Sequence, residues 1–135
     1  AVPESTIDID ANGAIVAFGG LSVIPASHVF KVGGLELYTW CVFDALFLPR
    51  LLGKSAISVT RCPVTDTQIE ISLTPTAIIS SRPASPVMSI VAPNKESCRE
   101  NLRGAFCNHV NFFADENTFR DWRGDRPDVA HVSLE

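Results

Sequence analysis

Cys41 and Asp44 stand three residues apart in the apolar run Tyr38-Thr39-Trp40-Cys41-Val42-Phe43-Asp44. On a helix, positions i and i+3 share a face, so this thiol and this carboxyl group can reach one reactant. A carboxyl group among Trp40, Phe43 and Phe47 is costly to bury without a partner. A second thiol follows much later, in Phe106-Cys107-Asn108-His109-Val110. Two thiols suit a soft metal, and a carboxyl held protonated by apolar surroundings suits a proton transfer near neutral pH. Cys41 is expected in the first helical turn, where the partial positive charge of a helix start favours thiolate and a pKa below the free value of about 8.5. Desolvation and a neighbouring thiolate should both push Asp44 the other way, towards its protonated form. Simpler readings compete: a lone cysteine in an apolar segment is most often a small buried hydrophobe, and a lone helical Asp a cap or a paired group.

These residues need elements to hold them. Thr39 is expected to cap a helix running to about Leu52, with Gly53 as its stop. Pro49 should kink that helix or break it into two short pieces. Cys107 falls in a predicted long strand over residues 104–114, with Cys107, His109 and Asn111 on one face. Ahead of the helix, a polar lead over 1–12 and the turn Asn12-Gly13 precede a strand at 14–18 and the flexible pair Gly19-Gly20. A strand at 28–32 closes on Gly33-Gly34. After the helix come strands at 56–61 and 69–73 around a turn at 63–66, a short helical turn at Thr74-Pro75, a loop at 82–86 and a strand at 87–92. A polar helix from Pro93 to about Arg103 carries Cys98 on an exposed side, a short helix covers 117–123, and the last extended piece is 129–134. The order strand-strand-helix-strand thus recurs without a sequence repeat. The fold class is α+β, with small, mostly antiparallel sheets and flanking helices.

Bulk properties narrow the function. A chain of 135 residues with 46% hydrophobic and 19% charged residues reads as one globular domain over 1–135. A net charge of −4, a pI near 5.3 and no basic stripe argue against nucleic acid as partner. The most apolar stretch, 42–52, contains Asp44, Pro49 and Arg50 and is too short for a bilayer. No charged-then-apolar leader pattern is visible. The four cysteines, Cys41, Cys62, Cys98 and Cys107, are widely spaced without a CxxC pair, which favours a reducing, cytoplasmic setting over a disulfide framework.

At these residues the chain resembles the alkylmercury lyase (organomercurial lyase) family. The blocks that carry the resemblance are Asp10-Ala11-Asn12-Gly13, His28-Val29-Phe30, Leu37 to Leu46, Pro49 with Leu52-Gly53, Cys62-Pro63, Pro86 to Pro93, Phe106 to Phe113, and Trp122. The Trp-Cys-x-x-Asp and Phe-Cys-x-His-Val blocks together are far more specific than either alone. The resemblance implies protonolysis of a carbon–mercury bond, giving a hydrocarbon and Hg(II), with no organic or metal cofactor. It implies that Cys41, Asp44 and Cys107 are catalytic and hold substrate or product mercury, and that Cys62 is structural. It also implies small thiols for product release and mercuric reductase as a recipient. Family members carry a helical domain before this core and continue beyond its last strand, so the expectation is a compact variant or a trimmed core. Asn108 stands where some members have a cysteine and takes no role, and Cys98 has no counterpart.

The main alternative is a soft-metal binder or carrier that uses Cys41 and Cys107 without bond cleavage; the apolar setting of Asp44 counts against it. A structural zinc site would favour closer Cys and His spacing, with His28, His109 and His131 joining only through tertiary folding. A redox pair would need the two cysteine Cα atoms within about 7 Å. A silent domain that keeps the fold as an interaction module completes the set.

Overall fold

The computed structural model describes residues 7–92, 96, 101 and 106–134. Its strands, in chain order, are β1 (Ile7–Ile9), β2 (Ile15–Phe18), β3 (Leu21–Ser22), β4 (Val29–Val32) and β5 (Leu35–Thr39), then helix α1 (Val42–Leu52). There follow β6 (Ala56–Arg61), β7 (Gln68–Leu73), β8 (Ile78–Arg82), β9 (Val87–Val91), a 3-10 turn (Cys107–His109), β10 (Phe112–Phe113), helix α2 (Glu116–Arg123) and β11 (Val129–Ser133). The fold is α+β, as the sequence predicts. Antiparallel pairing gives an eight-stranded sheet in the order β1-β2-β3-β5-β4-β6-β7-β8 and a three-stranded sheet in the order β10-β9-β11.

The expected recurrence exists as topology. In β4-β5-α1-β6 the first strand lies between the other two, with Val29 opposite Tyr38 on one side and Val59 on the other. In β9-β10-α2-β11 the first strand is again central, with Met88 opposite Phe112 and Val132. Each helix follows its unit's second strand, so both helix starts leave from a strand end.

Apolar burial divides between two clusters that α1 bridges. Val42, Ile69, Ile71, Phe112, Phe113 and Phe119 belong to the larger, while Ala45 and Leu48 join Phe30, Val32 and Ala56 in the smaller. Each buried aliphatic or aromatic side chain contributes about 1.5–3 kcal/mol. The helix therefore cannot slide without opening one cluster or the other, and its first turn is fixed in space.

Several local expectations are corrected. The helix begins two residues later than expected: Thr39 is the buried last residue of β5, and Cys41 is the N-cap. Pro49 does not divide α1, which runs unbroken over Val42–Leu52. Its ring is fully buried, and its carbonyl accepts the Lys54 N–H at 3.1 Å and that of Gly53, whose φ of 64° ends the helix. One missing N–H near the C-terminus is offset by that packing and capping. Thr74-Pro75 is no helical turn but part of a tight connection closed by Thr74 N–H to the Ala77 carbonyl at 2.8 Å. It leads into β8, an edge strand mostly exposed and rich in serine, which carries too little apolar alternation to read as a strand. Strands β1, β3 and β5 were not expected either. The strand predicted over 104–114 contracts to β10, with the 3-10 turn in front of it. Most of the expected polar helix from Pro93 to about Arg103, Cys98 included, lies outside the described residues. Among the described residues no helix is long and apolar enough to cross a membrane.

Candidate active site

The end of β5 delivers the chain straight into α1, and Cys41 occupies the turning point with φ −149° and ψ 170°. Cys41 and Asp44 form a reciprocal capping box. The Cys41 N–H donates to Asp44 Oδ2 at 3.1 Å, and the Asp44 N–H faces back to the Cys41 sulfur. This arrangement satisfies backbone donors that every helix start leaves open. It also locks thiol and carboxyl side by side, which the i, i+3 spacing predicts.

Cys107 arrives from the other sheet on the 3-10 turn. Ser89 of β9, completely buried, shapes that turn: its hydroxyl donates to the His109 carbonyl at 2.9 Å and accepts from the Asn111 N–H at 2.9 Å. The Ser89 N–H adds a bond to the Asn111 carbonyl at 2.9 Å. A side chain thus replaces part of a strand ladder, which is why the segment turns and why Cys107, His109 and Asn111 do not share a strand face. Phe43 of α1 meets Phe106 edge-on at 5.7 Å between ring centroids, tying the two segments together.

The ligand atoms of Cys41, Asp44 and Cys107 all lie within 4.8 Å of one another. All three are buried, with exposures of 0%, 7% and 4%. Burial pushes the Asp44 carboxyl up to about 6, against hydrogen bonds from Cys41 and from the Trp40 backbone that favour its ionised form. The expectation of a thiolate at Cys41 is reversed. Its hydrogen bond to Cys107, its burial and the neighbouring Asp44 hold the thiol well above the usual cysteine range. The helix start is there, but tertiary partners outweigh it. The arrangement can do two things chemically: place two sulfurs on one soft ion, and pass a proton between sulfur and carboxyl over a hydrogen-bonded contact.

Two supporting residues escape a search for reactive side chains. Gly20 lies against the Asp44 carboxyl with φ +93°, and a Cβ there would overlap the carboxyl carbon and both oxygens. Its carbonyl accepts the Trp40 N–H at 2.8 Å, fixing the β2–β3 turn over the helix start. The sequence signal is a glycine pair after a strand, which implies flexibility but not a contact with a carboxyl group. For Ser89 the signal was one serine inside the apolar strand Val-Met-Ser-Ile-Val.

The remaining candidates fall elsewhere. Cys62 is buried outside the group. Burial alone would raise its thiol, but the Thr65 hydroxyl and the N–H groups of Thr65, Ala114 and Val64 lower it, a set of bonds that suits a structural sulfur. His28 Nδ1 lies 2.8 Å from the Thr60 hydroxyl, and burial lowers its pKa. His131 stacks on Phe119 at 4.8 Å between ring centroids. No histidine belongs to the three-residue group. Beside the site opens a cavity of about 500 Å³ whose lining includes Cys107, Trp40, His28, Ser27, Asn108 and Asn111.

Comparison with known proteins follows the same residues. Residues 21–135 match the family model described as alkylmercury lyase, MerB. Alkylmercury lyases of Bacillus cereus and Pseudomonas putida are 38% and 34% identical over 96% and 98% of this chain. The chain spans 58% and 61% of the length of these two relatives. The crystal structure of the mercury-bound form of MerB2 shares the fold, with a TM-score of 0.82 at 24% identity over 96% of this chain and 62% of that one. With its Trp-Cys-x-x-Asp helix start and its buried Cys107 inside the matched region, this chain belongs to the alkylmercury lyase family.

Proposed function

We propose that residues 1–135 form a catalytic core that cleaves carbon–mercury bonds by protonolysis. The observation that carries this reading is the proximity of two sulfurs and one carboxyl, all within 4.8 Å, in a chain of this family. The carboxyl titrates near 6, so at neutral pH it can accept a proton and give it up again.

Cys107 as thiolate bonds to mercury and displaces its departing ligand. Cys41 passes its thiol proton to ionised Asp44, and the resulting Cys41 thiolate bonds to the same mercury. Protonated Asp44 then delivers the proton to the carbon. The carbon–mercury bond breaks with its electron pair going to carbon, the hydrocarbon leaves, and Hg(II) stays between two sulfurs. Two thiolates on a soft ion offset the cost of breaking the carbon–mercury bond. Asp44 ends ionised, as it began. Mercury here is substrate and cargo. The reading requires no resident cofactor, places the protein in the cytoplasm, and needs small thiols to carry mercury away, directly or on to a mercuric reductase.

The test is release of benzene or methane from phenylmercury or methylmercury with excess small thiol. Catalytic release by the parent protein, lost in Cys41→Ser, Asp44→Ala and Cys107→Ser, is expected. Mercury binding at Cys41 and Cys107 without any hydrocarbon would leave a soft-metal binder instead.

A further inference from the structure

We propose that His28 selects the organic group of the substrate, favouring organomercurials that carry a neutral hydroxyl group over purely hydrocarbon ones. The inference rests on the proposed lyase reading for its substrate and concerns what lies beyond the mercury atom. Of the three reactive residues, Cys107 is the one that borders the cavity of about 500 Å³. Cys41 has no exposed surface, and Gly20 closes over the Asp44 carboxyl. With mercury on the sulfurs, an organic group therefore extends past Cys107 into that cavity, whose lining includes Ser27, His28, Asn108 and Asn111.

His28 is held in this wall at two points. Its carbonyl accepts the Thr39 N–H at 3.0 Å, which ties it to the strand end that delivers Cys41. Its Nδ1 lies 2.8 Å from the hydroxyl of Thr60, a residue only 3% exposed. A ring oriented beforehand loses little freedom when a substrate arrives. Nε2 has no protein partner among the described residues. His28 also borders a second cavity of about 540 Å³ along β4 and β6, so open space lies on both sides of it. If Thr60 donates to Nδ1, Nε2 carries the proton and donates; if Nδ1 donates, Nε2 accepts. A hydroxyl group answers either tautomer, whereas a methyl group of similar size answers neither. Burial lowers the imidazole pKa, so at neutral pH the ring is uncharged and offers no charge attraction to a carboxylate.

The experiment compares p-hydroxyphenylmercury with p-tolylmercury, which differ by a hydroxyl in place of a methyl group. A background of Asp44→Asn with Cys98→Ser keeps the aryl–mercury bond intact, so binding is read without turnover. The protein is equilibrated with equal amounts of both compounds and 2-mercaptoethanol, then separated by gel filtration. Bound aryl groups are released in strong acid and measured as phenol and toluene. Phenol should exceed toluene about fivefold, the net worth of one hydrogen bond. His28→Phe should bring the ratio to about one, and Thr60→Val, which releases the ring, should lower it about twofold. His28→Gln, whose amide reaches the Nε2 position, should keep phenol in excess, and with Thr60→Val it covers the case in which His28→Phe does not fold. A ratio near one in the background protein, or an undiminished excess in His28→Phe or in Thr60→Val, would overturn the proposal. Arene release by the parent protein tests the lyase reading separately. Phenol excess without arene release would sink that reading alone, and arene release without phenol excess would sink this inference alone.

Discussion

The two strand-strand-helix-strand units begin their helices with the same device in opposite surroundings. In α2 the N-cap is Asp115, whose Oδ1 accepts the Thr118 N–H at 2.8 Å while the Asp115 N–H reaches the Thr118 hydroxyl at 3.3 Å. Those bonds face solvent, and the pair does nothing but start a helix. In α1 the corresponding positions are Cys41 and Asp44, buried under the glycine of the β2–β3 turn and facing Cys107. The local geometry is shared, and what differs is the sulfur in place of oxygen and the exclusion of water. Burial turns a routine cap into a pair of groups poised to exchange a proton, at the cost of desolvating a carboxyl group.

Substitutions at matching positions sharpen this contrast. Asp44→Asn keeps the volume and an acceptor for the Cys41 N–H, so the fold should persist. Hydrocarbon release should fall by roughly a thousandfold or more, because the amide cannot carry the proton; Asp115→Asn should change it by less than about twofold. Near-parental turnover of Asp44→Asn in a gas-release assay would erase the distinction between the two caps.

Next in size is a pH effect on stability. The folded Asp44 titrates near 6 rather than 3.8, so between those values the folded protein holds more protons than the unfolded chain. Asp44 therefore destabilises the fold progressively as pH rises from about 4 to about 6, by on the order of 3 kcal/mol in total. Urea unfolding at pH 4 and pH 7.5 should show Asp44→Asn gaining that much on the parent at the higher pH. Parallel pH curves would refute a desolvated carboxyl.

Gly20→Ala comes third. A methyl group there must displace the Asp44 carboxyl, so hydrocarbon release should drop by about a hundredfold while two-sulfur mercury binding, followed by thiol titration, survives. Loss of both together would make Gly20 a folding residue only. Smallest is the exposed cap: Asp115→Ala should cost about 1 kcal/mol in thermal unfolding and leave turnover unchanged.

The contrast also shows which parts of the molecule can be read from sequence. Cys41 and Asp44 are legible because they stand three positions apart at one helix start, as cap and third helical residue, a local rule. Cys107 came from its block and the family resemblance, and its strand assignment failed because a side chain, Ser89, supplies the bonds that a neighbouring strand would have given. The charge state of Cys41 is not legible from its helix position, because its strongest partner lies sixty-six positions away in the chain. Gly20 acts through the side chain it lacks, and that contact too is made only in the folded protein. The doubled topology was readable as an order of elements, since helices and strands announce themselves locally. Short strands such as β1 and β3, and the serine-rich β8, depend on their neighbours for pairing and gave no comparable pattern.

The capping role of Cys41 constrains descent as well as chemistry. A lineage that stopped meeting organomercurials would lose the need for sulfur at position 41, yet the helix would still require a residue able to begin it. Drift there should run towards serine, aspartate or threonine, with glutamate or glutamine tolerated at 44 once the glycine above is free to move. Descendants that have gone silent would then carry an ordinary oxygen cap where the thiol stood, and position 20 would no longer be held to glycine.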